Sequence, residues 1–100
     1  MNAKEAREKA AELINKMEYA VKDNVYRILW KERVKEDVEQ QIEEMDIDNR
    51  YSRKFSDEEI AGIIDTAAER YVFGGDYDCN LSYWDNIENL INDECESLID

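Results

Sequence analysis

The sequence predicts an all-α protein, a single acidic domain of residues 1–100 folded as a compact bundle of three or four helices. No proline occurs, and the first of the three glycines is Gly62, so nothing forces a helix to break in the first half of the chain. Apolar residues recur at spacings of three and four, which is the period of a helix with one buried face. A length of 100 residues supports one modest core.

The first predicted helical stretch runs from residue 3 to residue 45. One straight helix of that length would measure roughly 60 Å at 1.5 Å per residue, which is too long for a compact domain of this size. We therefore expect a break near Asp23 and Asn24, which are both good capping residues. A single long helix within a dimer is the alternative. The apolar stripe of this stretch consists of Ala10, Leu13, Ile14, Met17, Val21, Val25, Ile28, Val34, Val38, Ile42 and Met45.

Two further helices are predicted after a polar connection that spans residues 46–55. Ser56 followed by Glu59 is a capping-box pattern, and Gly74 is the expected C-cap of the helix that begins there. The last helix is expected to begin near Ser82. The inward-facing residues are predicted to be Ile60, Ile63, Ile64, Ala67, Ala68, Tyr71 and Val72 in the first of these helices, and Trp84, Ile87, Leu90, Ile91, Cys95 and Leu98 in the second.

The tryptophans and cysteines receive structural interpretations. Trp30 and Trp84 lie at helical spacing from apolar neighbours, and burial of large aromatic side chains dominates small cores, so both are interpreted as core anchors. Two cysteines without any histidine fall short of a structural zinc site. We therefore expect Cys79 to be a loop thiol and Cys95 a core thiol.

The composition argues against an enzyme. The chain contains no histidine, which removes the usual general base, the serine–histidine and cysteine–histidine pairs and the common zinc motif. Neither of the glycine-rich phosphate-binding loops is present. We expect no catalytic residues, no metal and no cofactor. No apolar run approaches the ~18 residues of a membrane span, and the first residues lack the apolar core of a secretory signal, so we expect a cytoplasmic protein that does not bind a membrane.

One alternative based on carboxylates is a calcium site. Asp76, Asp78 and Asn80 match the first three ligand positions of an EF-hand loop. The match then ends, because Leu81 and Ile87 stand where the loop needs a glycine and a bidentate glutamate. A turn that leads into the last helix is the simpler interpretation.

A second alternative is magnesium-dependent hydrolysis of nucleotides. The all-α nucleotide pyrophosphohydrolases of the MazG type hold Mg²⁺ with an ExxE pair on one helix and an ExxD pair on another. Glu36 and Glu39 fit the first pair. The second pair would be Glu43 and Asp46, but these follow on what is predicted to be the same helix. The later pair, Asp93 and Glu96, has its residue types reversed.

Charge is divided along the chain, whose net charge is −13. Residues 1–35 carry nine bases and six acids, whereas residues 36–100 carry twenty acids and the four bases Arg50, Arg53, Lys54 and Arg70. Two like charges ~6 Å apart in water repel by about 0.7 kcal/mol, so a surface of one sign opposes folding. Solubility does not require such segregation. We therefore interpret the acidic helices as a binding surface.

The spacing of the acids indicates what they bind. Acids three or four residues apart on a helix stand about 5–6 Å from each other, which is of the same order as the spacing of phosphates on a nucleic-acid strand. A rigid face of this kind can enter a groove lined by lysine and arginine that binds nucleic acid. The hypothesis is that the protein mimics nucleic acid and blocks the groove of a basic nucleic-acid-binding protein, without binding nucleic acid itself. The predicted contact residues are Asp57, Glu58, Asp65, Glu69, Asp76, Asp78, Asp85, Glu88, Asp93 and Glu96.

In size, in its lack of catalytic groups and in acidic segments such as WDNIENLINDECESLID, the sequence resembles the small acidic inhibitors of phages and mobile elements, the anti-CRISPR and antirestriction DNA mimics. The resemblance is one of character, without a shared motif. It implies that the partner is an RNA-guided nuclease or a restriction enzyme. The alternative is a generic acidic helical adaptor that binds other proteins. The sequence leaves the oligomeric state open.

Overall fold

Five helices make up the part of the protein that the structure describes. This computed structural model describes residues 2–16 and 19–99, with side chains for residues 2–9 and 23–99. The helices are α1 (Ala3–Lys16), α2 (Tyr19–Met45), α3 (Ile47–Arg50), α4 (Asp57–Val72) and α5 (Tyr83–Ile99). No strand occurs in these ranges, so the predicted all-α class is confirmed. None of the helices described is long and apolar enough to cross a membrane.

The bundle is formed by α2, α4 and α5, which pack against one another, and α3 adjoins the end of α2. Its core begins at Val34, in the second half of α2. Because all three long helices carry an apolar stripe at helical spacing, one closed core forms between them. The buried apolar residues are Val34, Val38, Ile42, Met45, Ile47, Phe55, Ile63, Ala67, Ala68, Val72, Ile87, Leu90, Ile91 and Cys95.

The predicted break near Asp23 and Asn24 is wrong, because α2 continues through both residues. The Asp23 carboxylate forms a salt bridge of 2.9 Å with Arg27, one turn later on the same helix. An i,i+4 ion pair stabilises a helix instead of capping one. Residues 17 and 18, between α1 and α2, lie outside the described residues, as do the side chains of the predicted inward residues Ala10, Leu13, Ile14, Met17 and Val21.

The apolar stripe of α2 changes face in the middle of the helix. Val25 and Ile28 were predicted to face inward, but their exposed fractions are 48% and 56%, and that of Leu29 is 64%. At 100° per residue, Val25 points about 180° away from Val34, and Ile28 about 120° away. The first half of α2 therefore presents its apolar side chains away from the bundle, which is why that part of the prediction fails.

Several other predicted core residues lie at the surface. Trp30 is 44% exposed, Trp84 is 42% exposed and Leu98 is 39% exposed, so the interpretation of both tryptophans as core anchors is wrong. The cysteines agree with expectation, since Cys79 is exposed and Cys95 is buried. The apolar residues that α5 contributes to the core are therefore Ile87, Leu90, Ile91 and Cys95.

The capping box predicted at the start of α4 is confirmed. The Ser56 hydroxyl accepts a hydrogen bond from the Glu59 amide, and the Glu59 carboxylate accepts one from the Ser56 amide, both at 3.1 Å. Two amides that the helix itself leaves without a partner are thereby satisfied.

The other end of α4 differs in detail from the prediction, because the C-cap is Phe73 and not Gly74. The Asp76 amide donates to the Arg70 carbonyl at 3.0 Å and closes the helix end. Gly75 provides the positive φ of 61° that this closure needs. Gly74 is required for a different reason, since a Cβ there would lie 2.7 Å from the Arg70 carbonyl oxygen.

The last helix begins where the sequence predicts. The Ser82 hydroxyl accepts a hydrogen bond of 3.1 Å from the Asp85 amide, which is the geometry of an N-cap. The preceding loop is held by Asn86, whose side chain is buried. Its Oδ1 accepts a hydrogen bond of 2.7 Å from the Asp78 amide, and its Nδ2 donates one of 2.9 Å to the Asp78 carbonyl. The loop of residues 73–82, hereafter the acidic loop, is therefore fixed to the first turn of α5.

Candidate functional site

The ten predicted contact residues lie on α4, on the loop that follows it and on α5. All are exposed except Glu88, which is half-buried. Their hydrogen bonds and ion pairs decide which of them are available to a partner.

Lys31 of α2 forms ion pairs with two of the predicted acids on α4. Its ammonium group lies 2.9 Å from the Asp65 carboxylate and 2.8 Å from that of Glu69. Hydrogen bonds to Glu69 and then to Asp65 raise the pKa of Lys31 above its ordinary value of 10.5, so the cation persists at every physiological pH. The α2–α4 contact thus brings a base from the first third of the chain against two of the predicted acids.

Arg70 is the second neutralising group, and three carboxylates surround it. Its Nε lies 2.8 Å from Asp76, its Nη1 lies 3.0 Å from Glu94 and its Nη2 lies 3.4 Å from Asp93. One guanidinium therefore ties the end of α4, the following loop and α5 together. Glu94 was not among the predicted contact residues.

Arg50 of α3 forms the third such contact, 2.9 Å from Glu88. With Asp65, Glu69, Asp76 and Asp93, this makes five of the ten predicted residues that are members of intramolecular ion pairs. Bases are few after residue 35, but these five acids are nevertheless partly compensated by Lys31, Arg50 and Arg70.

The outward face of α5 keeps the least compensated acids of the predicted set. The helix contains no lysine or arginine. Among the described residues, no base lies within 4.0 Å of Asp85 or Glu96, and the side chain of Asp93 remains 58% exposed beside Arg70. Asp85 and Glu96 are eleven residues apart, which places them within about 20° of each other around the helix and about 16 Å apart along it.

Asp57 and Glu58, in the first turn of α4, are also free of bases within 4.0 Å in the described part of the chain. Their position at a helix N-terminus is favourable in itself, because the helix dipole stabilises acids there. Asp78 has a structural role, since its carboxylate accepts a hydrogen bond of 2.9 Å from the Asn80 amide. These three acids therefore have local explanations. Asp85, in the first turn of α5, shares the explanation of Asp57 and Glu58, whereas Glu96 does not.

A second acidic row, on the outward face of α2, was not among the predicted contact residues. It consists of Glu36, Glu39 and Glu43, which are all exposed. Spacings of three and four residues place the row within a sector of about 60°, opposite the buried Val38. Glu36 contacts Arg33 at 3.8 Å in a fully exposed pair, whereas Glu39 and Glu43 have no base within 4.0 Å among the described residues. The run of acids from Glu36 to Asp48, with no base between them, already indicates this row in the sequence.

The structure also bears on the two metal-dependent alternatives. Glu36, Glu39 and Glu43 lie on one helix, so they do not form two acidic pairs that face each other from separate helices. In the EF-hand-like loop, Asp76 contacts Arg70 and Asp78 closes a turn. Within the described ranges, no group of three or more histidine, cysteine or acidic side chains is placed to hold a metal ion.

Two open clefts border the acidic surface. One, of about 360 Å³, lies between α4 and α5, and the other, of about 290 Å³, lies beneath the acidic loop. The first is lined by Ser56, Glu58, Glu59, Gly62, Ile63, Thr66, Glu94, Ser97 and Leu98, and the second by Asp76, Tyr77, Asp78, Asn86, Asn89, Leu90 and Asp93.

Comparisons of the chain with protein-family models, with curated proteins and with solved structures find no match.

Proposed function

We propose that this protein is a nucleic-acid-mimicking inhibitor that acts in the cytoplasm on a nuclease, either a CRISPR effector or a restriction enzyme. It occupies the cationic groove that normally receives DNA or RNA. The single observation that carries the proposal is the outward face of α5, where Asp85 and Glu96 are exposed and have no base within 4.0 Å among the described residues. A surface of this kind is electrostatically complementary to a groove lined by lysine and arginine.

The acidic row on α2 extends the proposed contact surface. Glu39 and Glu43 stand about 6 Å apart on a rigid helix, a separation of the order found between phosphates. Because α2 and α5 pack in the same bundle, the backbones that carry the two rows are held relative to each other. The partner thus meets helices that are already ordered, which lowers the backbone entropy lost on binding.

The ion pairs narrow the proposal to particular residues. Asp65 and Glu69 are held by Lys31, and a partner would have to displace that base to use them. Asp93 is likewise paired with Arg70. The proposed contacts are therefore Asp85 and Glu96, together with the α2 row. Direct binding of nucleic acid is not proposed, because the same charges repel phosphates.

The test is a DNA-cleavage assay with a panel of purified RNA-guided nucleases and restriction enzymes. The test variant combines Asp85→Asn with Glu96→Gln, which removes two charges at constant shape. The control combines Glu5→Gln with Glu8→Gln, two exposed acids of α1, and changes the net charge equally. Exposed ion pairs contribute about 0.2–1 kcal/mol each, so the test variant should weaken inhibition on the order of tenfold, and the control should not.

The salt dependence of inhibition distinguishes nucleic-acid mimicry from the alternative function, a generic acidic adaptor. Inhibition by mimicry should weaken steeply as NaCl rises from about 0.05 to about 0.5 M, and target DNA should compete with the protein. Equal inhibition by the test and control variants would refute the contact surface. A complex with a panel member that is insensitive to salt and to DNA would refute mimicry and would indicate a generic acidic adaptor.

A further inference from the structure

Five aromatic side chains form a continuous patch across α2, α4, the loop after α4 and α5, hereafter the aromatic patch. Tyr71 lies at its centre, with its ring centroid 5.6 Å from that of Trp30, 5.0 Å from that of Tyr77 and 5.5 Å from that of Tyr83. The ring of Tyr83 is in turn 5.2 Å from that of Trp84. Most of these contacts are edge-to-face, the arrangement that aromatic pairs prefer.

The outer members of the aromatic patch are open to solvent. Trp30 and Trp84 are each more than two-fifths exposed, and Tyr77 is 49% exposed, while Tyr71 and Tyr83 lie half-buried beneath them. Tryptophan and tyrosine are the residues that most often dominate binding energy at protein interfaces. Contiguous exposed rings of this kind mark an interaction surface.

The floor of the aromatic patch is fixed in place. The Tyr83 hydroxyl donates a hydrogen bond of 2.7 Å to the Asp37 carboxylate of α2. Burial and this hydrogen bond raise the pKa of Tyr83 above its ordinary value, so the phenol remains a donor. A preorganised surface of this kind loses little conformational entropy when a partner binds.

Acidic residues are close to the aromatic patch. Asp37 accepts the hydrogen bond of Tyr83 at its floor, and Asp85, Asp76 and Asp78 are sequence neighbours of Trp84 and Tyr77. Of the nearby bases, Lys31 lies between Asp65 and Glu69, and Arg70 is paired with Asp76. Arg33 forms only a long, exposed pair with Glu36. A ligand at this surface therefore meets ring faces and carboxylates together.

This combination favours arginine over other ligands. The guanidinium group is planar, stacks on aromatic rings and binds carboxylates through two parallel hydrogen bonds. Lysine has the same charge but lacks the planar stacking surface. Nucleobases would stack as well, but their phosphates would be repelled by the surrounding acids. A second copy of this chain would bring two molecules of charge −13 together, which is unfavourable.

We propose that the aromatic patch binds arginine side chains of a cationic partner protein. This inference rests on the proposed function, which requires a cationic partner. The rings of Trp30 and Trp84 point away from the acidic rows around α2 and α5, so the aromatic patch is a second contact beside those rows. The acidic rows would provide long-range attraction, and the rings would provide a short-range preference for arginine over lysine.

The protein contains a built-in probe for this site, because its two tryptophans, Trp30 and Trp84, are both in the aromatic patch. Their fluorescence is measured while the full chain is titrated with a peptide of alternating arginine and serine. A lysine–serine peptide of equal length serves as the charge-matched comparison. The arginine peptide should change the emission and bind about two- to fivefold more tightly than the lysine peptide, as expected for one exposed cation–π contact.

Variants test whether the aromatic patch produces the preference for the arginine peptide over the lysine peptide. Tyr77→Ala and Trp84→Ala should each remove most of it, with Trp30 still reporting in both. Leu98→Ala is the matched control, because Leu98 is as exposed as Trp84 but lies about 21 Å further along α5. Tyr77 belongs to the loop and not to the core, so its variant keeps the test decisive if Trp84→Ala reduces folding. Helical circular dichroism verifies that each variant is folded.

The outcomes distinguish this proposal from the proposed function. Equal affinity for the two peptides, or an arginine preference that survives both ring variants, overturns the anchor while leaving nuclease inhibition intact. A fluorescence response to a single-stranded DNA oligonucleotide comparable with that to the arginine peptide also overturns it. If the unaltered protein inhibits no nuclease of the panel but still binds the arginine peptide more tightly than the lysine peptide, the proposed function is refuted and the aromatic patch remains a binding site.

Discussion

Replacement of Arg70 by glutamine tests whether the acidic surface is held together by its few bases. Arg70 lies among Asp76, Asp93 and Glu94, at 2.8, 3.4 and 3.0 Å respectively, and its side chain is only 30% exposed. Glutamine keeps a polar side chain and helix propensity but removes the charge. The variant therefore leaves three neighbouring carboxylates without their common cation.

Two contributions determine the expected loss of stability. Ion pairs near the surface contribute about 0.2–1 kcal/mol each, so three of them together give about 1.5 kcal/mol. Carboxylates that shared one guanidinium stand roughly 5 Å apart, and two unit charges at that distance in water repel by about 0.8 kcal/mol before screening. We expect the variant to lose about 2 kcal/mol of unfolding free energy, which corresponds to a decrease of about 10 °C in Tm.

Urea unfolding followed by circular dichroism measures this loss, because urea leaves electrostatic interactions unscreened. Arg33→Gln is the matched control. It makes the same change in net charge, but its ion pair with Glu36 is long and exposed, so its effect should stay below about 0.5 kcal/mol. In about 1 M NaCl, where charges are screened within about 3 Å, the Arg70 variant should recover a large part of the difference. An Arg70 variant as stable as the control in low salt would refute the reasoning.

Three further predictions concern folding and accessibility. Gly62→Ala should stabilise the protein by up to about 1 kcal/mol in urea unfolding, because a Cβ at this helical position meets nothing within 4 Å; a destabilised variant would contradict the open surface. Trp84→Ala should reduce stability by only about 1–2 kcal/mol since the ring is 42% exposed, whereas Ile87→Ala, at a fully buried position, should reduce it by about 2–5 kcal/mol; the reverse order would contradict the assigned core. Burial raises the pKa of the Cys95 thiol from 9.0 to about 11, so a thiol reagent at pH 8 should modify Cys79 promptly and Cys95 only as the protein unfolds. Because this pKa is raised in the folded protein, the stability that the buried thiol contributes is complete below pH 9 and declines as pH rises towards 11. Equal reactivity of Cys79 and Cys95 would exclude the burial of Cys95.

The sequence predicts elements whose signals are local. Ser56 and Glu59 are three residues apart and form the predicted capping box. Ile87, Leu90 and Ile91 recur at helical spacing and are buried as expected. Interactions within one or two turns of a helix depend little on the rest of the molecule, so these features could be derived without the structure.

The predicted break in α2 was placed from helix length and capping residues, and these do not fix where a helix ends. The inward faces of Val25 and Ile28 fail for a different reason. Apolar spacing identifies a helix, but it does not specify which of two apolar faces finds a partner. In α2 the face that contains Val34 meets α4 and α5, whereas the face that contains Val25 remains exposed. Only helix packing decides between them.

The sequence by itself determined that this chain is helical, that its acids are concentrated after residue 35 and that it lacks the residues of common catalytic sites. Tertiary structure alone decided which acids remain available to a partner and which aromatic rings meet at the surface. Lys31 reaches Asp65 from another helix, and Arg70 reaches Glu94 across 24 positions of the chain. Charge is counted along a sequence, but its neutralisation depends on distances of a few ångströms that the packing of helices sets.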